Sequence, residues 1–248
     1  MTDRALITGA AKRLGRTVAE GLAADGWDLC LHYNGSRAEA EAVADACRAR
    51  GVRVVTLQAD LADAAAAAGL AARATAALGP LNLLINNASV FEHDTAETMT
   101  IESWNLNLDV NLRAPTLLCQ AFASQLPEEA KGNIINFLDQ RVARPGPSYF
   151  SYTISKCALW VATRMLAMAL APRIRVNGIG PGLTLPSGGQ SEIEFMEAQA
   201  RSLLGFGAAP TDIMQAIRYL LAAAPVTGQI LYVDAGERFQ ANPLDAIE

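Results

Sequence analysis

The sequence predicts an α/β protein built on one doubly wound parallel sheet with helices on both faces. Three observations carry that expectation. Short apolar runs alternate with segments of helical spacing from one end of the chain to the other. A glycine turn, Gly9 to Gly15, follows the first apolar run, where a Rossmann fold passes from strand to helix. The chain has 248 residues, 51% hydrophobic and 18% charged, which suits a single domain (residues 1–248) with a large core.

Arg4 to Thr8 reads as the first strand, and Gly9-Ala-Ala-Lys-Arg-Leu-Gly15 as the turn after it. A helix from Arg16 to Asp25 follows, with Val18, Leu22 and Ala23 on one side and Gly26 at its end. Trp27 to Tyr33 is the second strand, and Ser36 caps a helix running to about Arg50. Gly51 breaks it, and Val52 to Leu57 is β-branched enough to be a third strand. Asp60-Leu-Ala-Asp63 opens an alanine-rich segment ending at Leu78-Gly79-Pro80. Alanine is the best helix former, so a packed helix is expected there rather than a linker. Leu81 to Asn86 is the fourth strand, followed by one helix of roughly Ile101 to Leu126 that includes Val110.

Asn133 to Asp139 is a buried strand that ends in a carboxylate. Tyr152 to Leu170 is a long apolar helix and Arg173 to Ile179 a sixth strand. Leu183 to Gly207 is irregular, carries Gly188-Gly189 and a short helical stretch, and is expected to serve as a substrate lid. Thr211 to Ala223 and Gln229 to Val233 supply the last helix and strand.

Net charge is −5, which argues against a nucleic-acid or anionic-membrane surface. Cys30, Cys47, Cys119 and Cys157 are scattered without a C-x-x-C pair, and His32 and His93 are the only histidines. No metal site is expected, and the thiols read as buried groups in a reducing compartment. No long apolar span and no signal-peptide layout are apparent, so the expected location is cytoplasmic.

Tyr152 and Lys156 stand four apart and share one helix face, just after the strand that ends at Asp139. A phenol, an ammonium and a carboxylate brought together make a proton-transfer site. The glycine turn, for its part, offers helix N–H groups to a pyrophosphate. Its spacing departs from G-x-G-x-x-G. The second strand ends His32-Tyr33-Asn34-Gly35-Ser36-Arg37, without the acid that would hold a ribose 2′-hydroxyl. Lys12, Arg13, Arg16 and Arg37 instead gather positive charge suited to a 2′-phosphate, so NADPH is the expected cofactor.

Thr8-Gly9…Gly15, Asn86-Asn87-Ala88, Asn111, Tyr152-x-x-x-Lys156 and Pro181-Gly182, in this order across nearly the whole chain, resemble the short-chain dehydrogenase/reductase family. The resemblance implies that Tyr152 is the proton donor, and that Lys156 holds the nicotinamide ribose and lowers the tyrosine pKa from about 10. It implies that Asn111 supports a proton-relay water beside Lys156, that Asp60 meets the adenine and that Thr184 meets the carboxamide. Gly9, Leu14, Gly15, Leu61, Asn87, Ala88, Pro181 and Gly182 complete the expected cofactor contacts, with His32, Tyr33, Asn34 and Ser36 after the second strand.

Ordinary members of that family have glycine where Arg13 and Ser89 stand, and serine where Asp139 stands. These departures, together with Phe91, Gly9-Ala-Ala-Lys-Arg-Leu-Gly-Arg16 and His32-Tyr33, resemble the pteridine reductase branch, to which the bacterial dihydromonapterin reductases belong. In that branch the match to Arg13 reaches both pyrophosphate and pterin, and the match to Ser89 lies beside cofactor and pterin. The match to Phe91 sandwiches the pterin against the nicotinamide, and Leu185 is a further expected substrate contact. Where some pteridine reductases carry an arginine for the 2′-phosphate, this chain has Gly35, so Arg37 or Lys12 is expected to take over.

A ring C=N has no carbonyl oxygen for a serine to hold. Its nitrogen needs a proton, which a carboxyl group beside Tyr152 can relay. Asp139 would need its pKa raised by burial or by partners to act as an acid near neutrality. The expectation is an NADPH-dependent reductase of a 7,8-dihydropterin such as dihydromonapterin, with dihydrobiopterin and dihydrofolate as further candidates. A carbonyl reductase of a ketone or sugar, and a non-catalytic NADPH-sensing module, are the rivals. The apolar helices around Trp104 to Leu126 and Phe150 to Leu170 imply, through the resemblance, a homotetramer or homodimer.

Overall fold

The computed structural model describes residues 3–239. Strands β1 (Arg4–Ile7), β2 (Asp28–Tyr33), β3 (Val54–Gln58), β4 (Leu83–Asn86), β5 (Gly132–Phe137), β6 (Ile174–Pro181) and β7 (Ile230–Val233) form one sheet. Every pairing is parallel, in the order β3-β2-β1-β4-β5-β6-β7. The helices are α1 (Arg13–Ala24), α2 (Arg37–Arg48), α3 (Ala64–Leu78), α4 (Ile101–Leu108), α5 (Ala114–Gln125), α6 (Phe150–Leu170), α7 (Glu192–Ala200) and α8 (Pro210–Ala222).

Successive side chains of a strand point to opposite faces, and the core divides accordingly. Ile7, Leu29, Leu31, Leu83 and Ile85 pack with Val18 and Leu22 of α1, Val43 of α2 and Ile213 and Ile217 of α8. Leu6, Cys30, Leu84, Ile134 and Val176 face the other way, onto Leu70 and Ala74 of α3, Leu118 and Phe122 of α5 and Ala167 of α6. The sheet is therefore covered on both sides, as the unbroken apolar strands require. β1 pairs with β2 on one flank and β4 on the other, so the strand order reverses there and a crevice opens beyond the carboxyl ends.

Three expectations need correction. α1 starts at Arg13 rather than Arg16, which takes Gly15 into its first turn. The helix expected from Ile101 to Leu126 is three pieces: α4, a π turn from Asp109 to Arg113, and α5. A π turn carries an extra residue and so rotates α5 relative to α4; an Asp109–Arg113 ion pair at 2.8 Å spans it. α6 is also long and apolar enough, by composition, to cross a membrane, contrary to the expectation of no such span. Its Tyr152, Lys156, Leu159 and Ala167 are nevertheless buried against the sheet, while Val161, Met165 and Met168 are exposed.

The alanine-rich segment is α3, capped by the Asp63 carboxylate on the N–H groups of Ala65 and Ala66. Between β6 and α8, residues 183–207 carry α7, which opens on a Ser191/Glu194 capping box.

Candidate active site

One cleft of about 590 Å³ runs along the carboxyl ends of the strands. At one end lies the glycine turn. Gly9 has φ +63°, and a Cβ on Gly15 would collide with the Gly9 carbonyl oxygen, so the turn closes only without side chains at these places. Its position is set by its neighbours. The Gly9 N–H donates to His32 Nδ1 (3.1 Å), and His32 Nε2 lies 3.0 Å from the Ala59 carbonyl. Nδ1 must then be the acceptor and Nε2–H the donor, which is the neutral ring. Burial lowers the His32 pKa from its ordinary value. On the other side, Asn87 Nδ2 donates to the carbonyls of Thr8 (2.9 Å) and Gly9 (3.0 Å), and the Thr8 hydroxyl accepts from the N–H groups of Asn87 and Ala88.

Lys12, the cap residue of α1, makes no side-chain cap, so the first-turn N–H groups remain available to an anion. Its ammonium pairs with Glu39 at 2.8 Å. Arg13 adopts φ +52°, a left-handed conformation costly for any residue but glycine. That is the position at which the resemblance expects glycine. Its guanidinium donates to the carbonyls of Pro186 (2.6 Å) and Leu185 (3.3 Å).

The opposite end is built at the tip of β5 and the start of α6. The Tyr152 hydroxyl donates to Asp139 Oδ2 at 2.7 Å, and the Arg141 N–H donates to Asp139 Oδ1 at 2.8 Å. Burial pushes the Asp139 carboxyl up, against the opposing pull of the Arg141 N–H, the Tyr152 hydroxyl and the Lys156 charge. Tyr152 is also pushed well above its ordinary value, by burial first and then by the Asp139 charge. Burial and Asp139 thus oppose the lowering expected from Lys156, and together they make the phenol hold its proton more tightly. Lys156 donates to the Phe137 carbonyl (2.8 Å), and burial lowers its pKa to about 8.

Phe91 stacks on Tyr149, centroids 4.0 Å apart and planes within 10°, and makes a T-shaped contact with Tyr152, centroids 4.6 Å apart. Phe91 is 42% exposed, which leaves flat apolar surface toward the cleft.

Of the candidate residues, Gly9, Lys12, Arg13, Leu14, Gly15, His32, Asn34, Asp60, Leu61, Asn87, Ala88, Ser89, Phe91, Asp139, Tyr152, Lys156, Pro181, Gly182, Thr184 and Leu185 line the cleft. Tyr33, Ser36, Arg37 and Asn111 do not. Tyr33 packs with Ala11 and Ala40, and Ser36 precedes an exposed Arg37 at the start of α2. Arg16 pairs with Glu20 along α1. Asn111 spends its side chain elsewhere than on Lys156. Its Nδ2 donates to Val90, Asn107 and Ser155, and its Oδ1 accepts from Ser89 Oγ and the Val90 N–H. It braces the Ser89–Val90 turn. Asn86 turns into the core, donating to Asn136 Oδ1 at 2.8 Å.

The sequence reading missed Gln140, Tyr149 and Glu237. Tyr149 could have been suspected from its aromatic neighbours Phe150 and Tyr152. Glu237 had no local signal, because only the return of the chain after β7 brings it to the cleft.

Residues 9–237 match a family model described as enoyl-(acyl carrier protein) reductase. A crystal structure of FolM alternative dihydrofolate reductase 1 from Brucella suis in complex with NADP superimposes with a TM-score of 0.94 at 37% identity, covering 98% of each chain. Pteridine reductase 1 from Leishmania tarentolae is 32% identical over 94% of this chain and 95% of its own length. The 3-oxoacyl-[acyl-carrier-protein] reductase FabG of Staphylococcus aureus is 30% identical over 95% of this chain and 98% of its own.

Proposed function

The chain belongs to the short-chain dehydrogenase/reductase family, and from that premise we propose that it is an NADPH-dependent reductase of a pterin ring C=N. The substrate is a 7,8-dihydropterin such as dihydromonapterin, dihydrobiopterin or dihydrofolate. The observation that carries this reading is the Tyr152–Asp139 hydrogen bond at 2.7 Å, with a carboxyl whose pKa is raised by burial.

The cleft suits the cofactor. The uncapped first turn of α1 and the glycine turn would take the pyrophosphate. Lys12, on the cleft wall, would meet a 2′-phosphate; Arg37, the first residue of α2, lies off that wall. Asp60 and Leu61 would flank the adenine, and Thr184, Pro181 and Gly182 the nicotinamide. NADPH, when bound, supplies the hydride. The relatives crystallised with NADP support the same assignment.

The protein's own part is to hold the ring and to deliver a proton. Phe91, already stacked on Tyr149, would offer its exposed surface to the flat heterocycle, while Ser89 and Arg13 would approach the edge of that ring. Asp139 keeps a proton to higher pH than an exposed carboxyl and shares it with Tyr152 Oη, so the pair protonates the ring nitrogen. Lys156 fixes the ribose and adds positive charge nearby. Asn111 holds Ser89 in place.

The exposed apolar faces of α4 and α6 (Ile101, Leu106, Val161, Met165, Met168) support a homotetramer or homodimer, and we place the protein in the cytoplasm. The test is NADPH consumption by purified protein with the three dihydropterins and with a panel of ketones. Turnover of a dihydropterin supports the reading; turnover of ketones alone overturns it.

A further inference from the structure

Glu237 sits in a short turn after β7, yet its side chain lines the cleft. Oε2 accepts the Leu183 N–H at 2.9 Å, and Oε1 accepts Gln140 Nε2 at 3.3 Å. Leu183 is the first residue of the 183–207 segment, and Gln140 follows Asp139 in the chain. One carboxylate therefore joins the root of that segment to the strand tip that presents the proton donor.

The neighbouring backbone is shaped around it. A Cβ on Gly182 would come within 2.6 Å of Glu237 Oε2 and 2.8 Å of the Asp234 Cα, so the carboxylate reaches the Leu183 N–H only because residue 182 has no side chain. Asp234 anchors the turn by accepting from the N–H groups of Gly236 and Arg238 and pairing with the Arg238 guanidinium at 2.6 Å. The Leu204 N–H also donates to the Ala235 carbonyl, so the far end of the same segment returns to this turn. Residues 183 and 204 are both fastened to residues 235–237.

We propose that Glu237 is a positioning residue that holds the 183–207 lid in register with Asp139. It touches neither the reacting atoms nor the proton path; it acts through Leu183 and Gln140. The inference rests on the reductase reading for its kinetic consequence, but the tether can be tested without turnover.

The experiment compares wild type with Glu237→Ala and Glu237→Gln. Hydrogen exchange of the ligand-free protein reads the Leu183 amide, fluorescence titration reads NADPH affinity, and kinetics read KM and kcat separately. In Glu237→Ala the Leu183–Leu185 amides should exchange faster, and the Kd for NADPH and both KM values should rise about tenfold, the scale of one lost charge-assisted hydrogen bond. kcat should fall far less. Glu237→Gln keeps an acceptor for Leu183 and should restore most of the protection and affinity. A merely structural role would lower the yield of folded enzyme with KM unchanged.

Unchanged exchange at Leu183 in Glu237→Ala overturns the proposal, as does a glutamine variant as impaired as the alanine one. Should Glu237→Ala fail to fold, Glu237→Gln decides alone: wild-type-like protection at Leu183 supports the tether and its loss overturns it. Because exchange and NADPH titration need no substrate, a protein that reduces no pterin would overturn the function and still test the tether.

Discussion

The two ends of the cleft are built on different physics. The glycine-turn end is held by backbone groups: Gly9, Ala59, Thr8 and Ala88 are tied by His32, Asn87 and the Thr8 hydroxyl. Its charged side chains, Lys12 and Arg13, lie near solvent and already have local partners. The Asp139 end reverses this. Tyr152 and Asp139 are bonded to each other, Lys156 is buried beside them with its ammonium on the Phe137 carbonyl, and desolvation shifts all three pKa values. In the proposed function one end takes the anionic cofactor and the other supplies the proton. Substitutions at the first should act on binding, and at the second on turnover.

The largest expected effect is at the second end. Tyr152→Phe removes the hydroxyl and should lower kcat by roughly 10²–10⁴-fold, the usual worth of a general acid. NADPH affinity, read by fluorescence titration, should stay near wild type. A comparable loss of NADPH affinity would erase the contrast between the two ends.

His32→Ala should show the converse. It leaves the Gly9 N–H and the Ala59 carbonyl unpaired, at a cost of about 1–3 kcal/mol. NADPH affinity and Tm should fall, while the pH dependence of kcat keeps its shape. His32 is lowered in the folded state, so its contribution is full above its ordinary value and fades as pH falls below that value. Wild type should therefore lose stability in mild acid, and His32→Gln should lose less.

The pH profile sharpens the proton end. A raised carboxyl is an acid that stays loaded to higher pH. kcat/KM should accordingly fall as pH rises through the raised Asp139 value. It should fall again above about 8, where Lys156 gives up its charge. Asp139→Asn should remove the first limb and leave the second.

The smallest expected effect is on stability. A carboxyl raised in the folded state favours folding below its unfolded pKa, and that benefit is lost as pH rises through the folded value. Ionising Asp139 in the folded state therefore opposes folding, and an uncharged amide escapes that loss. Asp139→Asn keeps both hydrogen bonds by reversing the tyrosine one, and should raise Tm by ~2–4 °C, the change per kcal/mol for a chain of this size.

The fold was legible because each strand is a short apolar run and each turn has a glycine, proline or capping residue. Val18 and Leu22, or Ile213 and Ile217, show their helical spacing directly. The π turn at Asp109–Arg113 left no such trace, since inserting one residue barely disturbs a local apolar pattern. In the site, Tyr152 and Lys156 could be placed because they lie on one helix turn; Asp139, expected to end the strand, instead stands two residues past the end of β5 and caps the short turn that follows, through the Arg141 N–H. The position of Asn111 could be read but not its bonds, which beyond Asn107 one turn earlier depend on Val90 and Ser155 from two other stretches. Glu237 was invisible for the same reason: its partners, Gln140 and Leu183, are distant in sequence. The direction of the Tyr152 pKa shift was not legible either, because a sequence shows a nearby lysine but not burial beside a carboxylate.

The central claim is that the Asp139 carboxyl, standing where the family expects serine, selects a ring C=N over a carbonyl. The most direct test is the ratio of kcat/KM for a 7,8-dihydropterin to that for a ketone, measured in wild type and in Asp139→Ser. The expected result is a wild type that favours the dihydropterin and a serine variant that loses this preference by roughly 10²-fold, mostly through kcat. A serine variant that keeps the dihydropterin preference, or a wild type that favours the ketone, would contradict it.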